Sequence, residues 1–303
     1  MMVIMRNYIV LFVLFLLSCF FDSNLNAQSV YDTYNFFREN PIKYTGINEE
    51  SNYHLYNKKD NPACRIKVNF FYPEKTFNLN NYDKIQSLFI AGFLGEEYKT
   101  LQPKDAVKAY SKNYKKDYKE QLEKSDLYKK DRKDALARGE DPSEISSFYS
   151  YEKIIRNTIL FNKGNIVSQV INTYEYTGGA HGSSTTRGLI VDLHTGDRIE
   201  FGDVFYDNAD QQVSDLLLSN LLLTRNLPDK EALYEIGFNF DELYLTDNFI
   251  VDDKGVTFIY NQYELGAYVL GAVEIFVPYW EIVPYMKRTS AIAKLVRIDK
   301  MEN

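Results

Sequence analysis

Runs of alternating apolar residues, joined by short turns that contain glycine, dominate the sequence after residue 148. The runs 148–161 and 166–176 flank the turn NKGN at 162–165, where glycine readily takes the positive φ that a tight hairpin requires. Similar hairpins are predicted around HTGD at 194–197 and DDKG at 252–255. Strands joined by such short turns pair antiparallel, so the fold is expected to rest on antiparallel sheets.

Other segments repeat their apolar residues at helical spacing. One helix is predicted at 79–94, where asparagines can cap its start and Gly95 follows its end. A second begins at Pro103, and its stripe consists of Val107, Tyr110, Tyr114, Tyr118 and Leu122. A third, capped by Asp207 or Asn208 and stopped by Pro228, is the most apolar and is expected to pack centrally.

Together these patterns predict an α+β fold, with antiparallel β hairpins packed with a few amphipathic helices in two closely packed subdomains. The expected organisation is a signal peptide at 1–27, a polar spacer or edge segment at 28–61, an N-terminal α+β domain with a charged helical segment at 62–195, and a C-terminal α+β domain at 196–303. A chain of 303 residues can bury a substantial core.

The amino-terminal segment matches a secretion signal. Arg6 precedes an apolar run at 8–17, which is too short for a membrane-spanning helix and fits the core of a signal peptide. LLSC is similar to a bacterial lipobox, in which Cys19 would be lipidated, whereas LNAQ is similar to an ordinary cleavage site after Ala27. Both routes stay open. We expect an extracytoplasmic protein that is periplasmic, secreted, or attached to the membrane only through a lipid at Cys19.

Charge and motifs narrow the function classes. The net charge is -7, and the segment 99–138 holds 13 Lys or Arg against 7 Asp or Glu. A narrow basic stretch laced with acids indicates a solvated helix face, so no nucleic-acid partner is expected. No cofactor is expected either, because the glycines at 178–182 are not followed by the Lys-Ser or Lys-Thr of a phosphate-binding loop. Cys64 has no partner cysteine in the mature chain and is expected to be a small buried residue.

The stretch YTGGAHGSSTTRG contains the first candidate ligand-binding residues, which are Gly178, Gly179, His181 and Gly182. Consecutive amides among such glycines can form an anion-binding nest, and a histidine can donate, accept or ligate a metal. A purely structural interpretation, in which the glycines turn the end of a strand, is favoured. A metal site on His181 and His194 is kept as an outside alternative, and no catalytic residue is assigned.

An aromatic stretch at 255–282 supplies the other candidates, Tyr263, Glu264 and Tyr268. Exposed tyrosines give rigid contact area with a polar tip, which suits a protein interface or a sugar ring. Buried tyrosines would simply be core. We expect most of this stretch to be core.

The order of the motifs resembles a known arrangement. TGGAHG, DLHTGDRIEFGDVF, the Asn-Phe pair at 248–249, YELGAY and PYWEI occur in sequence over 65–285. This order is similar to the paired domains of unknown function in RsiV-like proteins, the extracytoplasmic part of a lysozyme-sensing anti-sigma factor, and in a peptidoglycan deacetylase. Gln262 and Ala267 stand where such proteins often have proline.

The resemblance implies an extracytoplasmic cell-envelope module of unknown exact role. We expect a non-catalytic binding or sensing module whose partner is a secreted, muramidase-like protein or a cell-wall glycan. The alternative is a metal-assisted hydrolase or deacetylase that acts on cell-wall sugars.

The processing prediction can be checked by intact-mass spectrometry of the protein isolated from the cell envelope. The mature chain is expected to begin either at Cys19, with the added mass of acyl chains, or at Gln28. A chain that retains residues 1–18 would contradict both routes.

Overall fold

Two β-sheets organise the part of the chain that the computed structural model describes, which is residues 42–75, 79, 81–141, 143–241, 243–293 and 296. The first sheet has six strands in sequence order: β1 (Tyr44–His54), β2 (Ala63–Pro73), β3 (Tyr151–Lys163), β4 (Ile166–Tyr176), β5 (Ser183–Asp192) and β6 (Asp197–Arg198). The second consists of β7 (Phe249–Val251), β8 (Gly255–Tyr260) and β9 (Val273–Pro278). All these neighbours pair antiparallel except β2 and β3, which are parallel.

Helices connect the strands and cover the sheets. In chain order they are α1 (Tyr82–Leu94), α2 (Pro103–Lys124), α3 (Asp126–Arg138), α4 (Phe201–Val204), α5 (Asp210–Arg225), α6 (Lys230–Glu235) and α7 (Tyr279–Ile282). The first three form the crossover that a parallel β2–β3 pair requires. This mixture of antiparallel sheets and helices confirms the predicted α+β class. None of the helices in the described ranges is long and apolar enough to cross a membrane.

Helix starts follow the sequence signals only in part. Pro103 opens α2 as predicted, and Gly139 ends α3 with a left-handed φ of 71°. Asn81 precedes α1 but makes no side-chain cap; its amide instead donates to the carbonyl of His194 at 2.6 Å. The residue that precedes α5 is Ala209, so the predicted cap at Asp207 or Asn208 is wrong.

Between the two interpretations of 28–61, a polar spacer or an edge segment, the described residues 44–54 favour the second, because they form strand β1. This strand pairs with β2 along its whole length, from Tyr44 opposite Pro73 to His54 opposite Ala63. Its side chains alternate between half-buried and exposed positions, a pattern that its many polar residues conceal in the sequence. Residues 44–54 thus form an edge strand of the first sheet, while residues 28–41 and the predicted signal peptide with Cys19 and Ala27 lie outside the described residues.

The core joins elements from both sheets. Ile166 and Ile190 of the first sheet belong to the same buried cluster as Val213 and Leu217 of α5 and Phe258 of β8. The two parts of the fold are therefore closely packed. The predicted domain boundary at 195/196 falls in the turn between β5 and β6, which are neighbours in one sheet. The division into two domains stays a prediction.

Cys64 lies in a second buried cluster, between β2 and α2. Its neighbours there include Leu55, Tyr118 and Leu122. Burial raises the pKa of the Cys64 thiol to about 12, so the thiol stays protonated and unreactive at neutral pH. The predicted role of a small buried residue is confirmed.

The outer edge of β5 is closed by side-chain amides rather than by a full neighbouring strand. Its partner β6 pairs only with 191–192. Further along, three backbone amides of β5 donate to side-chain oxygens of remote residues. The Ser184 amide donates to Gln262 at 3.0 Å, the Thr186 amide to Asn261 at 2.6 Å, and the Gly188 amide to Asn248 at 2.7 Å. We call Asn248, Asn261 and Gln262 the edge seal. It satisfies donors that an open strand edge would leave unpaired.

Gly188 lets the second sheet approach this edge. A Cβ atom at this position would lie 2.2 Å from the carbonyl oxygen of Phe249, closer than any side chain tolerates. Asn248 can then reach across with its other end, where its Nδ2 donates to the carbonyls of Thr186 at 2.9 Å and Ile259 at 3.0 Å. One asparagine therefore connects β5 with β8.

Replacing Asn248 with alanine is expected to lower the free energy of unfolding by about 3 kcal/mol. The reason is that the buried Gly188 amide and two carbonyls lose their partner at once. Urea denaturation measures the loss, and Asn239→Ala, which changes an exposed asparagine outside the edge seal, is the control. Equal stability of the two variants would contradict the role of the seal.

Candidate functional site

The glycine loop, residues 177–182, turns the chain from β4 into β5. Gly178 and Gly179 have φ values of 92° and 91°, a region that favours glycine. The hydroxyl of Tyr176 donates to the carbonyl of Gly179 at 2.9 Å and holds the turn against the end of β4. The glycines thus serve the turn, as the structural interpretation of this loop predicts.

Beside this loop, three aromatic rings form a row that we call the aromatic stack, made of His181, Tyr268 and Tyr263. The His181 and Tyr268 rings are stacked, with centroids 4.3 Å apart and planes 29° apart. The rings of Tyr268 and Tyr263 follow at 5.6 Å and 41°. Offset arrangements of this kind are favourable for aromatic pairs. The structure therefore brings together three of the predicted candidates from segments more than 80 residues apart in the chain.

Hydrogen bonds fix two rings of the stack, Tyr268 and His181, on the glycine loop. The hydroxyl of Tyr268 donates to the carbonyl of Gly182 at 2.9 Å. His181 Nδ1 lies 3.2 Å from the same carbonyl, a contact in which the nitrogen must be the donor. The third ring, Tyr263, contacts Tyr268 in a tilted arrangement and is 66% exposed. Gly182 thus acts through its backbone oxygen.

The segment 261–268 is held in place by its own polar residues. Glu264 Oε2 accepts a hydrogen bond from the Asn261 amide at 2.7 Å, and Tyr263 takes a positive φ of 70° at the turn. Ala267 fixes the other end of the segment, because its backbone amide donates to the carbonyl of Gly237 at 3.0 Å. Gln262 ties the segment to β5 as part of the edge seal. These bonds order the segment without a proline at Gln262 or Ala267.

Glu264 also interacts with Tyr244, outside the segment 261–268. Burial raises the pKa of the Tyr244 phenol to about 12, and the charge and acceptor oxygen of Glu264 add to that rise. Tyr244 in turn packs edge-on against the buried Tyr260 at 5.2 Å, and its carbonyl accepts from the Tyr260 hydroxyl. Although Glu264 is exposed, its carboxylate therefore interacts with Tyr244 and connects the segment 261–268 with the buried Tyr260.

The aromatic stretch divides as expected between core and surface. Tyr260 is fully buried and Tyr279 nearly so. Tyr263 is the exposed end of the stack, and Trp280, in α7 and outside the stack, is 73% exposed. Neither Asn261 nor Gln262 was a candidate, because no sequence pattern distinguishes an amide that accepts from a remote strand from any other loop amide.

The alternative metal site on His181 and His194 is wrong. The two residues flank opposite ends of β5, whose ten residues span about 30 Å. The carboxylates near His194 are engaged: Asp192 accepts from the His194 amide at 2.8 Å, and Asp197 pairs with Lys84 at 2.6 Å. Within the described ranges no group of three or more His, Cys, Asp or Glu residues is placed to hold a metal ion.

Comparison with known proteins identifies relatives. A family model described as a protein of unknown function, DUF3298, matches residues 202–280. A solved structure of a DUF3298 family member from Bacteroides fragilis is 32% identical with a TM-score of 0.73, and the match covers 81% of this chain and 93% of that one. A DUF3298 family protein from Pseudomonas aeruginosa shares the fold at 14% identity and a TM-score of 0.56, over 82% and 96% of the two chains. No curated protein matches the chain.

The matched segment contains only part of the aromatic stack. Tyr263 and Tyr268 lie within 202–280, whereas His181 and the glycine loop precede it. The stack therefore joins the family segment to the six-stranded sheet.

Two alanine substitutions in the glycine loop distinguish the cost of a positive φ from the cost of a steric clash. Gly179→Ala is expected to cost about 1–2 kcal/mol of stability, because the space is open and only the positive φ opposes a side chain. Gly178→Ala should cost more, by about 1–3 kcal/mol, since its Cβ would also lie 2.5 Å from the Phe148 carbonyl. Denaturant unfolding of both variants measures the difference, and equal losses would show that the close approach is unimportant.

Proposed function

The chain belongs to the DUF3298 family, and on that premise we propose that it is a non-catalytic, extracytoplasmic cell-envelope module that binds a secreted, muramidase-like protein through the aromatic stack. The observation that carries the proposal is the stack itself, an exposed and pre-ordered row of rings built from two remote segments. The extracytoplasmic setting is supported by the predicted signal peptide. The partner class is supported by the resemblance to RsiV-like proteins.

The stack has the physical properties of a protein-binding hot spot. Tyrosine provides a large contact area with few rotatable bonds, and such residues dominate the energetics of many interfaces. Because Tyr268 is already bonded to Gly182 and stacked on His181, little conformational entropy remains to be lost on binding. Val269 extends the exposed surface with an apolar side chain that is 84% exposed.

The polar groups around the stack favour binding over catalysis. His181 Nδ1 is bonded to a backbone carbonyl of its own loop, and Glu264 accepts from the Asn261 amide. A general acid or base needs a partner that orients it toward a reacting group. Here the hydrogen bonds order the loops instead, so the surface offers shape and aromatic area to a partner.

Isothermal titration calorimetry of the mature chain with lysozyme tests the proposal. We expect saturable binding that Tyr263→Asn weakens at least tenfold, which is about 1.4 kcal/mol. Asparagine is chosen because it tolerates the positive φ of 70° at this position, so the backbone is retained while the ring is lost.

Trp280→Ala is the matched control, since it removes an exposed aromatic ring that lies outside the stack. Its affinity for lysozyme should equal that of the unchanged chain. If lysozyme is not bound, or if Trp280→Ala weakens binding as much as Tyr263→Asn, the proposal is rejected.

A further inference from the structure

A polar cleft with tyrosine walls lies between α2 and the end of the first sheet where β3 begins and β4 ends. Its volume is about 220 Å³. The lining residues come from three elements and the start of the glycine loop, and they are Tyr114, Asp117, Tyr118, Gln121, Tyr151, Lys153, Glu175 and Thr177. The cleft is separate from the aromatic stack, which is made of other residues.

One wall of the cleft is an ordered pair of tyrosines. Tyr118 is buried, and its hydroxyl donates to the Tyr149 carbonyl at 3.2 Å. The half-buried Tyr151 packs against it with ring centroids 4.9 Å apart and planes at 63°. The Tyr151 hydroxyl also donates to Gln121 Oε1 at 3.3 Å. Tyr151 is therefore held as a fixed aromatic surface at the cleft.

The floor carries a neutralised ion pair. Lys153 and Glu175 are cross-strand partners on β3 and β4, their charged atoms are 3.2 Å apart, and both side chains are half-buried. The Lys153 ammonium also lies 5.1 Å from the centroid of the Tyr114 ring. Because this cation already occupies the ring face, a second cation in the cleft would meet a like charge.

The hydrogen bonding of the Tyr114 hydroxyl is incomplete in this setting. It is buried near Glu175, yet it makes no well-formed hydrogen bond within the described part of the chain. Burial raises the pKa of Tyr114, so the hydroxyl is neutral and able to donate at physiological pH. A buried hydroxyl in this state is stabilised by any hydrogen-bonding group that enters the cleft.

The rim adds two polar side chains on one face of α2. Asp117 and Gln121 are four residues apart, which places them one above the other on the helix, and both are exposed. Gln121 uses its oxygen for Tyr151 and keeps its amide protons for a ligand. With Glu175, Asp117 and Lys153 the cleft has a net charge of -1, which disfavours an anion.

From this arrangement we propose that the cleft binds a neutral saccharide ring. A sugar presents an apolar face to an aromatic side chain such as Tyr151, and its hydroxyls both donate and accept. Asp117 and Glu175 supply acceptors, while Gln121, Lys153 and Tyr114 supply donors. The volume suits one ring inside, with a longer chain leaving through the open side past Asp117.

Saturation-transfer NMR on the full mature chain tests this site with named probes: glucose, N-acetylglucosamine, their β-1,4-linked trimers, glucuronic acid and N-acetyl-lysinamide. We expect transfer to at least one neutral sugar, with a Kd of about 1 mM for a single ring. Glucuronic acid, which differs from glucose by a carboxylate, should bind more weakly. Binding of N-acetyl-lysinamide in preference to every sugar would overturn the saccharide assignment, as would transfer to none of the sugars.

Substitutions on α2 locate the binding. Asp117→Ala and Gln121→Ala should each weaken the bound sugar at least fivefold, and Lys112→Ala, an exposed residue of the same helix outside the cleft, should leave it unchanged. The altered side chains are exposed, so thermal unfolding should stay close to that of the unchanged chain. Sugar binding that survives both cleft variants but is lost in Tyr263→Asn would place the sugar on the aromatic stack and reject the cleft.

Discussion

The edge of β5 is the constraint on which the rest of the structure depends. β5 has ten residues, and on its outer edge a strand pairs only with the last two, so this edge would expose a row of unpaired amides. The edge seal satisfies three of them with side chains from the neighbourhood of the second sheet. In doing so it fixes the position of the second sheet against the first, and the shared core of Ile166, Ile190 and α5 can then close behind it.

The same bonds position the candidate site. Gln262 and Asn261 are part of the segment that carries Tyr263 and Tyr268, so the seal that closes the strand edge also delivers these rings to the glycine loop. A buried side-chain amide without a hydrogen-bond partner costs free energy. Because only one register of the segment 261–268 along β5 satisfies both Asn261 and Gln262, that register is selected. The aromatic stack therefore forms as a consequence of the bonds that close the edge of β5.

Much of the fold could be predicted because local chemistry decides it. Gly164 and Asn165 take positive φ at the β3–β4 turn, as NKGN indicates, and Pro103 and Gly139 mark helix ends by their backbone preferences. The metal alternative failed for the opposite reason, since the separation of His181 and His194 depends on the length of β5. The sequence left β1 open as part of a spacer or edge segment, because an edge strand needs few apolar residues and its pairing is decided by the exposed edge of β2.

The sequence by itself determined the α+β class, the hairpin turns, the principal helices and the likeness to a family, because each of these follows from residues that are close in the chain. It also singled out His181, Tyr263 and Tyr268 as candidates. Only the tertiary structure decided that these rings stack on one another and that Tyr114, Tyr151, Lys153 and Glu175 surround one cleft. The physical reason is that such contacts join residues far apart in the chain, and their partners are selected by strand register and helix packing rather than by local preference.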